Sequence, residues 1–353
     1  MGVEPKRPSR SSVNRAADLI SRFPRVRVVV AGDLIADEFI YGQIDRVSRE
    51  APVLILSYDS TEVVPGGAGN AANNAATLGA KVEVVGVVGR DSAGARLVDA
   101  LPPAARTSGI LRVPGHVTPV KTRILAGGVH SAKQQVVRID RAGSPPAAAV
   151  RQRVEQALVR AVARADVLIV SDYGGGLITP DVWRRVLRVP GRKRPLISLV
   201  DSRYSLAEFV GMTACTPNES EVEALLDVRI NEDRRVLEGA GRQLLQQLKC
   251  RSVLITRGSR GMALFEADQA VDHIPIVGSD QIADVTGAGD TVIATFAIAL
   301  GAGATHREAA RLANHAGGLV VMKRGTATVS AKELVEAVRQ GGDDGFAADS
   351  GRA

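Results

Sequence analysis

The sequence predicts an α/β protein in which a mostly parallel sheet carries helices on both faces, with a small antiparallel β lid beside it. Two observations carry the main sheet. Short β-branched apolar runs recur at residues 26–30, 82–88, 167–170, 196–200 and 253–256, and helical stretches at 71–78, 150–164 and 236–248 lie between them. Strands buried on both faces read as continuous apolar runs, and strands alternating with helices build a parallel sheet. A third observation carries the lid. Residues 38–64 and 118–139 alternate apolar and polar residues without an intervening helix, as antiparallel strands with one exposed face do. A separate small sheet beside the strand ends is a candidate lid; the alternative is an extension of the main sheet.

In chain order, residues 1–12 are rich in Ser, Pro and charge and are expected to be a disordered tail, as are residues 341–353. One continuous domain, 13–340, lies between them. Ala16, Leu19, Ile20 and Phe23 fall at helical spacing and predict an amphipathic N-terminal helix. The run 26–30 ends in Ala31-Gly32-Asp33, a buried parallel strand stopping where a ligand can sit. Helices at 291–300 and 306–323 close the domain.

Bulk composition narrows the function. At 353 residues, with 45% hydrophobic side chains, 36 glycines and 3% aromatics, the chain reads as a soluble globular protein with many tight turns. The formal charge of +7 sits partly in Lys6-Arg7-Pro8-Ser9-Arg10 and Arg192-Lys193-Arg194. These runs lack interleaved aromatics and read as solvated faces, not a nucleic-acid groove. Cys215 and Cys250 show no zinc or disulfide spacing and are expected to be reduced thiols. No apolar stretch reaches the ~20 residues that span a bilayer, and the start lacks a signal pattern, so the expectation is a cytoplasmic protein without membrane partners.

The chemistry concentrates in Asp284-Val285-Thr286-Gly287-Ala288-Gly289-Asp290-Thr291, followed at once by an apolar helix. Glycines before a helix let backbone approach a ligand, and the first free N–H groups then form an anion hole. A carboxylate there would repel phosphate unless it had its own task. That task is accepting a proton from a hydroxyl as its oxygen attacks the γ-phosphorus. Asp290 as a mere helix N-cap would account for the aspartate but not for the whole string.

This string resembles the Asp-Thr-Thr-Gly-Ala-Gly-Asp signature of the ribokinase (PfkB) family of carbohydrate kinases, with Val285 replacing one threonine. The resemblance covers most of the chain and implies a ribokinase-like fold, ATP as phosphoryl donor and Mg2+ as cofactor; it leaves a monovalent cation open. Pro65-Gly66-Gly67-Ala68-Gly69-Asn70-Ala71-Ala72 is similar to the family's N-terminal Gly-Gly motif, so Gly66, Gly67 and Asn70 would contact sugar hydroxyls. By their residues alone they form a glycine turn feeding a helix N-terminus. Asp33 and Asp37 suit vicinal hydroxyls, since a carboxylate accepts two hydrogen bonds, or else they stabilise a turn.

Thr216-Pro217-Asn218-Glu219-Ser220-Glu221 looks like the family's Asn-x-x-Glu element, in which Asn218 and Glu221 would hold magnesium against the phosphates. The same residues make a helix start, and both readings can hold together. Thr256, Arg257, Gly258 and Gly261 resemble the segment lining the nucleotide, to which the likeness adds Thr286, Asn314 and Lys323.

Within the family, Arg46 to Val53, Gln134 to Asp140, Ser171-Asp172-Tyr173 and Gly325 to Ser330 resemble the kinases that phosphorylate C1 of D-glycero-β-D-manno-heptose 7-phosphate towards ADP-heptose and lipopolysaccharide. Asp172 then belongs to the substrate side, and Arg138 serves a substrate phosphate or a plain lid salt bridge. The pattern departs in two places. Gly174-Gly175-Gly176 lacks the lysine expected after Tyr173, and Asp201-Ser202-Arg203 replaces Asp-Pro-Lys. Some relatives carry a nucleotidyltransferase domain after the kinase; only a short tail follows Val338, so that activity is expected to be absent. The family also pairs its lids, which implies a homodimer. Two alternatives stand: the same chemistry on fructose, ribose, a nucleoside or another phosphosugar, and a non-catalytic sugar- or nucleotide-binding protein on this fold.

Overall fold

Each strand at the centre of the main sheet is an apolar run whose successive side chains enter opposite layers. In the computed structural model, which describes residues 10–128, 133–192, 194–277, 284–323 and 325–340, the chain runs α1 (Arg10–Ser21), β1 (Arg27–Gly32), β2 (Leu34–Val47), β3 (Leu54–Gly67), α2 (Ala68–Thr77), β4 (Lys81–Gly89), α3 (Ser92–Asp99) and β5 (Arg106–Val113). It continues through β6 (Val120–Gly127), β7 (Gln134–Arg141), α4 (Ala148–Val162), β8 (Val167–Asp172), α5 (Pro180–Leu187), β9 (Ile197–Ser202), β10 (Ala214–Cys215), α6 (Glu219–Leu226) and α7 (Arg234–Leu248). It ends with β11 (Ser252–Thr256), β12 (Met262–Glu266), β13 (Asp272–Ile274), α8 (Ala288–Gly301), α9 (His306–Val321) and α10 (Ala331–Gln340).

The main sheet has the order β13-β12-β11-β10-β9-β8-β1-β4-β5. From β11 to β5 all neighbours are parallel, and β12 and β13 add an antiparallel edge. Val28 and Val30 of β1 point into a core built with α1, α2, α8, α9 and α10. Val29 and Ala31 point into a second core with α4, α5 and α7. Each valine so buried contributes roughly 1.5–3 kcal/mol, which holds the sheet between its two helical layers.

The four-stranded second sheet has the order β3-β2-β6-β7. Both excursions are antiparallel pairs as expected, and they join through the parallel pair β2–β6. The junctions matter more than the strands. The chain leaves β1 for the lid at Asp33 and returns from β3 at Gly66-Gly67 directly into α2, so one lid root lies at the parallel strand ends.

Several boundaries differ from expectation. The lid strands reach back to Leu34 and on to Gly67 and Arg141. Residues 10–12 belong to α1, while the rest of both expected tails and Lys193 lie outside the described residues. Arg192 is not a free solvated cation, since its Nη2 donates to Ala165 O at 2.8 Å. The two cysteines are buried free thiols. Among the described residues no helix is long and apolar enough to cross a membrane.

Candidate active site

Gly287, at φ +77°, ends the glycine-rich turn and opens α8 without a side-chain cap. Ala288 N donates to Val285 O at 3.2 Å, and no side chain caps the donors that follow it in the first turn, where Asp290 sits. Asp290 is only 5% exposed. Its Oδ2 accepts from Asn70 Nδ2 at 2.7 Å, and its Oδ1 is buried without a hydrogen-bond partner. Burial pushes the carboxyl up to about 7; the Asn70 hydrogen bond pulls it down, the Asp37 charge raises it and the Lys121 charge lowers it. A carboxyl so tuned, with one oxygen held and the other buried without a hydrogen-bond partner, has the properties of a general base near neutral pH.

Asn70 comes from the first turn of α2, so two helix N-termini converge on Asp290. A Cβ at Gly287 would stand 2.5 Å from Asn70 Nδ2, which is why this turn must be glycine for the helices to approach. At the lid root a Cβ at Gly67 would stand 2.5 Å from Asp33 O. Gly67 therefore lets the β3–α2 junction close against the Asp33 backbone, while Gly66 makes room for the Asp37 carboxylate.

A cavity of about 440 Å³ opens beside this point, where lid and body meet. Asp33, Lys121, Arg138, Arg141, Tyr173 and Arg203 line it. Asp290 is not in the wall, but two wall residues, Tyr173 and Lys121, lie within electrostatic reach of its carboxylate. The Asp290 charge, then burial, then the charges of Asp201 and Asp37 push the Tyr173 phenol well up. Lys121 Nζ lies 4.6 Å from the Tyr173 ring centroid, and burial lowers its pKa. Arg203 covers Tyr204, 6.0 Å from its ring centroid.

The expected acceptor residues divide. Asp33 is at the cavity, where burial raises its pKa and its Oδ2 accepts from Tyr173 N at 2.8 Å and Gly175 N at 2.9 Å. Asp37 pairs with Arg123 at 2.6 Å. Arg138 lines the cavity and also pairs with Asp140 at 2.8 Å. Asp172 is buried and spent on the loop, accepting from Ser202 Oγ at 2.6 Å and Gly174 N at 3.1 Å.

Among the residues expected at the nucleotide and its metal, Asn218 and Glu221 form a reciprocal capping box on α6, with both hydrogen bonds at 2.9 Å. Thr256 bridges to Asn218 across the strand ends. Gly258 and Gly261 form a turn of positive φ. Thr286 N donates to Asp284 Oδ1 at 2.9 Å, and Gly325 N to Asp284 Oδ2 at 3.2 Å, so Asp284 ties the glycine-rich turn to the segment after α9. Three residues expected at the nucleotide also hydrogen-bond protein: Arg257 Nε donates to Glu219 Oε1 at 2.6 Å, Asn314 Nδ2 to Pro275 O at 2.7 Å, and Lys323 Nζ to Thr328 O and Glu333 Oε1, both at 2.7 Å.

Among the described residues no group of three or more His, Cys, Asp or Glu gathers as a metal cage. Magnesium does not require one, since it takes one or two carboxylates, waters and phosphate oxygens. Asp201 fits that role together with Glu221. Burial, then the Asp290 and Glu221 charges, raise the Asp201 carboxyl well above its usual range, and burial raises Glu221. Repelling buried carboxylates are the donor set that a hard cation relieves.

Lys121 and Asn74 were not singled out from sequence, and Tyr173 and Asp201 were quoted there only within motifs, without a role of their own. The structure places Lys121 beside Asp37 in the β2–β6 register and opposite Asp140 in β6–β7, a basic residue between two acidic ones that only the strand pairing brings together.

Residues 27–333 match the family model described as pfkB family carbohydrate kinase. The chain is 40% identical over 320 residues to the bifunctional protein HldE of Gluconobacter oxydans (strain 621H), covering 90% of this chain and 65% of that protein. Against the HldE of Geobacter metallireducens it is 39% identical over 313 residues, 88% of this chain and 62% of the relative. The chain thus spans less than two thirds of these curated relatives. Among solved structures, Arabidopsis thaliana ribokinase complexed with ribose and ATP superposes with a TM-score of 0.69 at 21% identity, covering 89% of this chain and 98% of that one. Escherichia coli phosphofructokinase-2 in complex with fructose-6-phosphate gives 0.70 at 16%, covering 90% and 99%. These two likenesses establish the ribokinase-like fold.

Proposed function

The chain belongs to the pfkB family of carbohydrate kinases, and from that premise we propose that it transfers the γ-phosphoryl group of ATP to a phosphorylated sugar, C1 of D-glycero-β-D-manno-heptose 7-phosphate, in the cytoplasm. The observation that carries this reading is a buried carboxylate with one unpartnered oxygen, Asp290 Oδ1, at an uncapped helix mouth beside a cavity walled by Lys121, Arg138, Arg141 and Arg203. Oδ1 takes the proton of the acceptor hydroxyl as its oxygen attacks phosphorus, and the first-turn N–H groups of α8 that follow Ala288 donate to the transferring phosphoryl oxygens. Asp33 accepts from sugar hydroxyls. The cations of the cavity hold the acceptor's own phosphate, with Arg203 as a planar fork where an ammonium was expected. Asp201, Glu221 and Asn218 would hold Mg2+, which supplies charge neutralisation on the nucleotide phosphates.

The lid supports a homodimer. Val137 and Ile139, 44% and 55% exposed, lie on the face of β7 opposite Arg138 and Asp140, on an edge strand that a second copy can cover.

An acceptor panel tests the reading. ADP release is measured with the heptose 7-phosphate, fructose 6-phosphate, fructose, ribose and a nucleoside. Turnover with the heptose phosphate far above the unphosphorylated sugars is expected. Equal or better turnover of ribose or a nucleoside would remove the phosphosugar assignment, and nucleotide binding without turnover of any acceptor would favour a sensing protein.

A further inference from the structure

Asn70 and Asn74 stand one helical turn apart on one face of α2, both 1% exposed, and join two neighbouring residues of α8. The chain of donors starts from an acceptor that cannot turn over. Asn74 Nδ2 donates to the backbone carbonyl of Asn70 at 3.0 Å, so the nitrogen end of the Asn74 amide faces α2. Its Oδ1 is then left to accept from Thr291 Oγ1 at 2.8 Å. The same Nδ2 donates to Asn70 Oδ1 at 3.1 Å, which leaves Asn70 Nδ2 to face Asp290 Oδ2 at 2.7 Å. Each orientation follows from the one before it and none depends on guessing an amide flip.

We infer that Asn74 and Thr291 are positioning residues that fix which end of the Asn70 amide meets Asp290, and thereby which carboxylate oxygen is left to take the acceptor's proton. This rests on the reading of Asp290 as the base. Were the Asn70 amide reversed, its oxygen would face a carboxylate oxygen in a buried site and the Asn74 amide would lose an acceptor. The head-to-tail order excludes that arrangement. It also explains why Thr291, which touches no ligand in this scheme, is fully buried with its hydroxyl aimed at α2.

The test is a titration that needs no substrate. The protein is labelled with 13C at the aspartate carboxyl carbon, and the Asp290 resonance is identified by its absence from Asp290→Asn. Asn74→Leu and Thr291→Val are expected to raise the Asp290 midpoint by about one pH unit, since a hydrogen bond to the ionised form is loosened, while Thr291→Ser keeps the wild-type midpoint. Unmoved midpoints in Asn74→Leu and Thr291→Val would overturn the proposal. If Asn74→Leu does not fold, the isosteric Thr291→Val against Thr291→Ser decides alone. Failure of the base reading looks different: Asp290→Asn would then keep its turnover whatever the titrations give.

Discussion

At the scale of the residue, Asp290 links stability to chemistry. Its carboxyl is held at about 7 against an ordinary value of 3.8. Between those values the folded protein binds more protons than the unfolded chain, so this residue's contribution to stability falls as pH rises through that window, and the penalty is complete above 7. Asp290→Asn is therefore expected to be more stable than wild type at pH 8, by a few kcal/mol at most, with the difference vanishing near pH 4; urea unfolding at the two pH values checks it. With Asp290 as the base, the same ionisation is expected to set an acidic limb near pH 7 in kcat/KM, with the rate falling as pH drops, which a pH–rate profile checks. The eight-residue string made this carboxylate legible because a helix cap alone does not need glycines on its N-terminal side. Its partner was not legible as such: Asn70 lies 220 positions away, and nothing local says that its amide serves the base. Asn218 and Glu221 were readable both as a helix start and as metal-side residues, and the capping box establishes the first without consuming every oxygen.

At the scale of the element, the acceptor cavity is made where β6, β7 and the ends of β8 and β9 meet, so its charge is assembled from segments far apart in sequence. Lys121 and Arg203 approach it from lid and body respectively. Lys121→Met and Arg203→Met are each expected to raise KM for the phosphorylated acceptor roughly ten- to a hundredfold, the worth of one charge-assisted hydrogen bond, with KM for ATP little changed; steady-state kinetics with each substrate varied in turn separates the two. Alternation made the lid strands legible, yet not the parallel β2–β6 pairing, because two hairpins can join along either edge. β5 was hidden by its polar edge-strand residues, and β10, only two residues long, has no pattern to read. Arg257, Asn314 and Lys323 were expected at the nucleotide because they occur near family-like strings. Their protein partners Glu219, Pro275 and Glu333 lie in other elements, and these hydrogen bonds were invisible from sequence.

At the scale of the whole molecule, a two-sided parallel sheet provides the rigid floor, and the lid is rooted in it at Asp33 and Gly67. The apolar outer face of β7 makes a statement about assembly. Val137→Lys with Ile139→Lys is expected to turn a dimer into a monomer in analytical ultracentrifugation, and a wild-type protein that sediments as a monomer at micromolar concentration would remove the lid dimer. The alternation of apolar runs with helices made the main sheet legible, since burial on both faces leaves few other patterns. In the proposed reaction, what brings lid, floor and helix mouth together as one device is the proton that Asp290 would take. The turnover of wild type and Asp290→Asn, measured side by side with ATP and the heptose 7-phosphate, tests that most directly. A loss of about 100- to 10,000-fold is expected with the fold intact, and a variant that turns over at the wild-type rate would contradict the account.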